Sequence, residues 1–199
     1  MQWTKKNFDA VGLTQYPVGR EFAALQDQFG GSVILCLDVS GSMSGARLPQ
    51  AVSGCHRFVA EAVAAGYDVA GLLWHLGVAG HTELSRDPRA ADALFSTAFA
   101  SGGNNIVPAL HQCESQFEGR TGDRVIAIFG DGDLGDAGTA VREARRLADK
   151  GIRVLTCGLG DASAAELGSI STEPVAARVA RSDGIADAIA GMADGLRRG

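Results

Sequence analysis

Short apolar runs alternate along this chain with stretches whose apolar side chains recur every three or four residues, the rhythm of strands feeding helices. Residues 32–38 (Ser-Val-Ile-Leu-Cys-Leu-Asp) read as a buried strand, followed by a helix from about 46 to 65. That helix sets Leu48, Val52, Cys55, Val59 and Val63 on one side and keeps Pro49 in its first turn, where a missing N–H does no harm. Residues 67–76 form a second strand, and 78–84 fold back on it around Gly77 as an antiparallel edge hairpin. Asp87-Pro88 opens a helix to about Phe99, a Gly-rich loop follows at 101–105, and a helix runs from Ile106 to Phe117. The remaining elements are a strand at 124–129, a helix ending at Lys150, a strand at 152–157, a short helix at 163–170, a strand at 175–180 and a closing helix at 183–197. Ahead of them, residues 19–29 space Phe22, Leu25 and Phe29 as one helix face, stopped by Gly30-Gly31.

This alternation predicts a doubly wound α/β fold: a mostly parallel central sheet with one antiparallel edge strand and helices on both faces. A length of 199 residues suits one such domain over 31–199, preceded by an extension over 1–30 that carries a helix. Hydrophobic residues make up 46% and charged residues 21%, with both signs interspersed and a net charge of -5, which argues against a nucleic-acid partner. The longest apolar runs are strand-sized and the first residues lack the apolar stretch of a signal peptide, so the expectation is no membrane partner and a cytoplasmic address. Cys36, Cys55, Cys113 and Cys157 stand far apart in apolar segments and read as reduced core thiols.

Parallel strands end on one edge, and ligands in open α/β sheets bind in the crevice outside those ends. Three loops meet there. The first holds Asp38, Ser40 and Ser42, one carboxylate and two hydroxyls on alternate residues of a turn; the Gly-rich loop holds Asn104 and Asn105; the loop after the 124–129 strand holds Asp131, Asp133 and Asp136. An all-oxygen donor set of this kind suits a hard cation, magnesium foremost, with manganese or calcium as alternatives.

The run Asp38-Val39-Ser40-Gly41-Ser42, together with Gly102-Gly103-Asn104-Asn105 and Asp131 after the later strand, resembles the metal-ion-dependent adhesion site of von Willebrand factor A-type domains, also met as the integrin inserted domain. The resemblance covers residues from about 31 to the end and implies that family's Rossmann-like fold. It further implies a metal held by Asp38, Ser40, Ser42, Asn104 and Asp131, the two serine hydroxyls directly and the carboxylates directly or through water. Asn104 stands where the family usually has Thr, and its longer, rigid amide changes the geometry available to an ion. Asn105 is a second candidate if the loop shifts by one residue. With few direct carboxylates, such an ion keeps positive charge and an open position that a partner's Asp or Glu can fill. The resemblance thus implies a protein-interaction module rather than an enzyme, acting as a docking subunit in a larger assembly, including one with an AAA-type ATPase.

Other readings compete. The Asp-Ser run is also what an Asx turn or a set of helix N-caps looks like. Asp136 reads as the N-cap of the helix beginning at Ala137, and Asp133 as a solvated loop acid. Gly130, Gly132 and Gly135 match a GxGxxG dinucleotide motif, but Asp131 and Asp133 would place negative charge beside a pyrophosphate. A haloacid-dehalogenase-like phosphatase needs a second acid where Ser40 stands, and Met43 occupies the nucleophile position of a GxSxG reading. An open metal position could activate water, but His56 in a helix, His75 in a strand, His81 in the hairpin and His111 in a later helix are scattered, so no partner base is evident. If the site is degenerate, the chain is a metal-independent scaffold.

Overall fold

The computed structural model describes residues 30–173, 178–181 and 183–197. The helix expected over 19–29 and the first residues of the strand expected over 175–180 lie outside the described residues.

Six strands form one sheet in the order β3-β2-β1-β4-β5-β6. Their bounds are β1 Ser32–Asp38, β2 Asp68–Trp74, β3 Val78–His81, β4 Arg124–Gly130, β5 Ile152–Leu159 and β6 Arg178–Ala180. All neighbours are parallel except β2 and β3, which pair antiparallel. The helices are α1 Arg47–Ala64, α2 Arg89–Ser96, α3 Val107–Gln116, α4 Ala137–Asp149, α5 Asp161–Gly168 and α6 Ile185–Gly191. Single 3-10 segments follow β1 and α6, at Gly41–Met43 and Met192–Arg197.

The central strand explains the layering. All seven residues of β1 are buried, as expected of a strand covered on both faces. Because side chains alternate, Val33, Leu35 and Leu37 enter one core with Phe58 of α1, Phe95 of α2 and Ile189 of α6, while Ile34 and Cys36 enter the other with Leu110 of α3, Leu147 of α4 and Leu167 of α5. The four cysteines are buried thiols. Cys36 and Cys113 bring their Sγ atoms to 3.5 Å across the second core.

Several elements differ in extent from the sequence pattern. In α1 the buried stripe is Ala51, Gly54, Cys55, Phe58, Val59 and Ala62, whereas Leu48, Val52 and Val63 are only partly buried. Small residues own this face because α6 lies against it: a Cβ on Gly54 would stand 2.8 Å from Ile189 Cβ and 2.9 Å from the Ala186 carbonyl oxygen. α2 stops at Ser96 rather than Phe99, as the Thr97 and Ala98 amides turn back to the Leu94 and Phe95 carbonyls. β5 runs on to Leu159, paired with β4 and then with β6. His75 lies in the bend after β2 rather than in the strand. The closing helix breaks into α6 and the 3-10 segment.

Polar clamps fasten this frame at its far end. Arg153 Nη1 donates to Asp123 Oδ2 at 2.8 Å, its Nε to Glu173 Oε1 at 2.9 Å and its Nη2 to the Gly195 carbonyl at 2.9 Å. Tyr67 donates to the same Asp123 carboxylate at 2.7 Å and contacts the Leu196 carbonyl. On the second face, Glu114 of α3 accepts from Arg146 and Lys150, cations that hold its carboxyl down to about 2.

Gly54→Ala should expose the α1–α6 contact. Helix propensity alone favours alanine by about 1 kcal/mol, yet the added methyl meets backbone and Ile189 Cβ at under 3 Å, so a net loss of about 1–3 kcal/mol is expected in urea unfolding. A variant as stable as wild type would mean that α6 can retreat without cost.

Candidate metal centre

Three loops converge at the carboxyl ends of β1, β2 and β4, and backbone hydrogen bonds tie them together. The Ser101 amide donates to the Val39 carbonyl at 2.8 Å and the Gly41 amide to the Gly102 carbonyl at 3.1 Å, joining the Gly-rich loop to the turn after β1. The Asn105 amide donates to the His75 carbonyl at 2.7 Å, and the Ile106 amide to the Leu134 carbonyl at 3.3 Å. The strand order forces this meeting, since β1 lies between β2 and β4.

Asp38 sits at the tip of β1 opposite Trp74 of β2, with none of its surface exposed. Its Oδ1 accepts the Ser40 amide at 2.7 Å and its Oδ2 the Asp131 amide at 3.3 Å. These bonds use about half of the acceptor positions of a carboxylate. Burial is the largest influence on the group and pushes its pKa up to about 6; the Ser40 amide and hydroxyl pull it down, and the Asp131 charge pushes it up again. β4 can pass so close only because residue 130 is glycine: a Cβ there would stand 2.9 Å from Asp38 Oδ2 and 3.3 Å from Trp74 Cζ2.

The two serine hydroxyls face one another, Ser40 Oγ lying 3.0 Å from Ser42 Oγ, with Ser40 buried and Ser42 exposed. Ser40 occupies the N-cap position of the 3-10 turn, but its side chain makes no capping bond, and α1 starts from Ala46 without a side-chain cap. The alternative readings therefore divide. Asp38 does form an Asx-type turn with the Ser40 amide, whereas neither hydroxyl is spent on capping a helix.

The two asparagines also separate. Asn105 Oδ1 accepts the Val107 amide at 3.2 Å at the start of α3, so it is occupied. Asn104 Oδ1 is buried and has no hydrogen-bond partner, a state that ordinarily costs 1–3 kcal/mol and calls for an explanation. Asp131 is partly exposed; Ser163 at the start of α5 donates to its carbonyl. Asp133 Oδ1 accepts the Gly135 amide at 2.9 Å and is exposed, and Asp136 caps α4 by accepting the Thr139 amide at 3.0 Å.

The glycines of the 130–135 run have structural employment. A Cβ on Gly132 would stand 2.6 Å from Ser163 Cα, and one on Gly135 would stand 2.4 Å from the Asn104 carbonyl oxygen, both at positive φ. They let neighbouring backbones touch, which accounts for the glycine spacing without a pyrophosphate.

Among the described residues no three His, Cys, Asp or Glu side chains cluster as a metal site. The oxygens offered by the converging loops are instead hydroxyls and amides beside two carboxylates, a donor type that suits a hard cation, and Asn104 Oδ1 in the adjoining Gly-rich loop is orphaned. Three neighbours were not legible beforehand. Arg47 at the start of α1 donates to the Ser42 carbonyl at 3.0 Å, Ser163 reaches the site from a distant helix, and Trp74 keeps a buried, unpartnered Nε1 beside Asp38. Only Arg47 has a sequence signal, its position directly after the serine run. Two histidines are engaged elsewhere, His56 Nδ1 lying 2.7 Å from Asp92 and His111 Nε2 3.1 Å from Glu143, whereas His75 packs beside Gly102 of the Gly-rich loop with a buried, unpartnered Nδ1.

The sequence profile of VWA domain containing CoxE-like proteins matches residues 27–182. The chain belongs to this family. Among solved structures, this VWA domain is similar to the vWF domain of the type V pili tip protein Mfa5 from Porphyromonas gingivalis, with 13% identity, a TM-score of 0.76 and coverage of 85% of this chain and 95% of that one. It is similar to the pilus adhesin SpaC from Lactobacillus rhamnosus GG, with 14% identity and a TM-score of 0.72 over 85% of this chain and 30% of that one. The conserved hypothetical protein BatB from Bacteroides thetaiotaomicron is 21% identical with a TM-score of 0.64, over 83% of this chain and all of that one. At these identities the likeness establishes the fold. No curated protein matches the sequence. Among the described residues of this VWA domain no helix is long and apolar enough to cross a membrane.

Burial of Asp38 has a pH signature with a definite sign. A carboxyl raised from 3.8 to about 6 binds its proton more tightly when folded, so its contribution is fully present below pH 4, fades between pH 4 and 6, and is gone above. In EDTA, the stability of wild type relative to Asp38→Asn should therefore fall across that window by on the order of 3 kcal/mol. A difference that stays flat from pH 4 to 7 in urea titrations would contradict the burial of the charge.

Proposed function

We propose that this VWA domain is a divalent-metal-dependent protein-interaction module. Magnesium is held at Asp38, Ser40, Ser42, Asn104 and Asp131, and an Asp or Glu of a partner protein completes its coordination. One observation carries the reading: Asn104 Oδ1 is buried without a partner in a loop bonded to the Asp38–Ser42 turn, and a cation would satisfy it. Neutral hydroxyl and amide donors would leave the ion much of its charge, which favours capture of a carboxylate over turnover. Manganese or calcium would serve the same oxygen donors.

The family membership supports a docking role, and the structural neighbours include pilus adhesins. We place this docking in a cytoplasmic assembly, with an AAA-type ATPase as the candidate partner. The buried thiols of Cys36 and Cys113 suit a reducing compartment.

A thermal melt of the EDTA-stripped protein tests the metal. Millimolar magnesium, manganese or calcium should raise the melting temperature of wild type, by the equivalent of about 2.7 kcal/mol at a hundredfold excess over the dissociation constant. Asp38→Ala should not respond, and NAD should shift neither protein. A wild type indifferent to all three cations would leave a metal-independent scaffold as the reading.

A further inference from the structure

Among the described residues three large hydrophobic side chains are strongly exposed: Leu76 at 61%, Phe99 at 75% and Val179 at 41%. Val179 stands on β6, the far edge strand. The other two border the candidate metal centre. Leu76 belongs to the bend after β2, and its Cδ2 lies 3.2 Å from where a Cβ of Gly103 would be, so it rests on the residue before Asn104. Phe99 precedes the same loop by two residues; Ala98 and Ala100 on either side of it pack on the first core, while its ring projects outward. The stretch they border is bonded to the Asp38–Ser42 turn through Ser101 and Gly102.

Charge around this rim is uneven. On the β4 side stand Asp131, Asp133 and Asp136; on the α1 side stands Arg47, exposed, with one donor on the Ser42 carbonyl and its others uncommitted among the described residues. The chain as a whole carries a net charge of -5, so an acidic partner gains nothing at long range. Attraction must be local, from the cation and Arg47 within a screening length of about 8 Å, and from water-excluding contact. Exposed apolar rings and methyls at a site that invites a carboxylate supply that contact.

Resting on the metal-dependent reading above, we propose that the partner segment carries its Asp or Glu next to a bulky apolar residue. The carboxylate sits on the cation with Arg47 beside it, and the apolar side chain packs across Leu76 and Phe99. The rim thus sets which acidic segments are accepted, and a carboxylate among polar neighbours is a poor ligand.

A phage-displayed library of short random peptides, selected on the full chain in magnesium and in EDTA, tests this. Magnesium-dependent clones should be enriched in an acid adjacent to Leu, Ile, Phe, Trp or Met. A synthetic peptide from one such clone should bind Leu76→Ser/Phe99→Ser about tenfold or more weakly than wild type, with its magnesium dependence and the protein's melting temperature retained. Arg47→Ala should weaken it less, and Asp38→Ala should abolish binding. Magnesium-dependent acidic clones without apolar neighbours, or unaffected by the double substitution, would overturn the rim while sparing the metal reading. Acid selection that is absent in magnesium would overturn both. Self-association in magnesium that the double substitution abolishes would assign the rim to a second copy of the chain and overturn the proposal.

Discussion

A buried carboxylate at the tip of the central strand organises the ligand edge of this molecule. Asp38 is wholly enclosed, and an enclosed charge is tolerated only with hydrogen-bond donors around it. The donors are two backbone amides from different elements, Ser40 in its own turn and Asp131 beyond β4. Satisfying one side chain therefore requires β4 to lie beside β1 at close range, which in turn requires glycine at 130. The serine turn, the strand order and the placement of the acidic loop are linked through that single group. The partly satisfied state is energetically tense, since the pKa of Asp38 is drawn up toward 6. Positive charge at this edge would relieve it.

The far end of the sheet has the opposite character. Arg153, Asp123, Glu173 and Tyr67 are mutually satisfied and fasten the closing segment through the carbonyls of Gly195 and Leu196. The β1–β4–β5 frame thus carries the Arg153 clamp at one end, and at the other a set of converging loops in which the Asn104 amide oxygen is buried without a partner.

The strands and their order of appearance were legible because a doubly covered parallel strand is a nearly continuous apolar run, as in 32–38 and 124–129. The antiparallel hairpin was legible from Gly77 and its flanks. The α1 stripe is legible in part: Cys55 and Val59 are buried as expected, but Leu48, Val52 and Val63 only flank the core, and the centre of the face falls to Ala51, Gly54 and Ala62 because the closeness of α6 rewards small residues there. No local pattern reports a neighbouring helix. Asp38, Ser40, Ser42, Asn104 and Asp131 were legible as candidates, and the structure brings their loops together. What the chain alone left open was the choice between Asn104 and Asn105, which depends on which amide caps α3. The exposure of Phe99 was hidden because a helix expected to reach it ends three residues earlier.

The close approach of Gly135 to the Asn104 carbonyl has a mechanical side. Backbone lies on backbone there, with no flexible side chain between the two loops to absorb a displacement, and close-packed interiors transmit strain rather than dissipate it. The Gly-rich loop is in turn stitched to the turn after β1 and to the bend after β2. A displacement of the acidic loop at Gly135 would therefore press directly on the backbone of the Gly-rich loop, which lies between the stretch carrying Phe99 and the bend carrying Leu76.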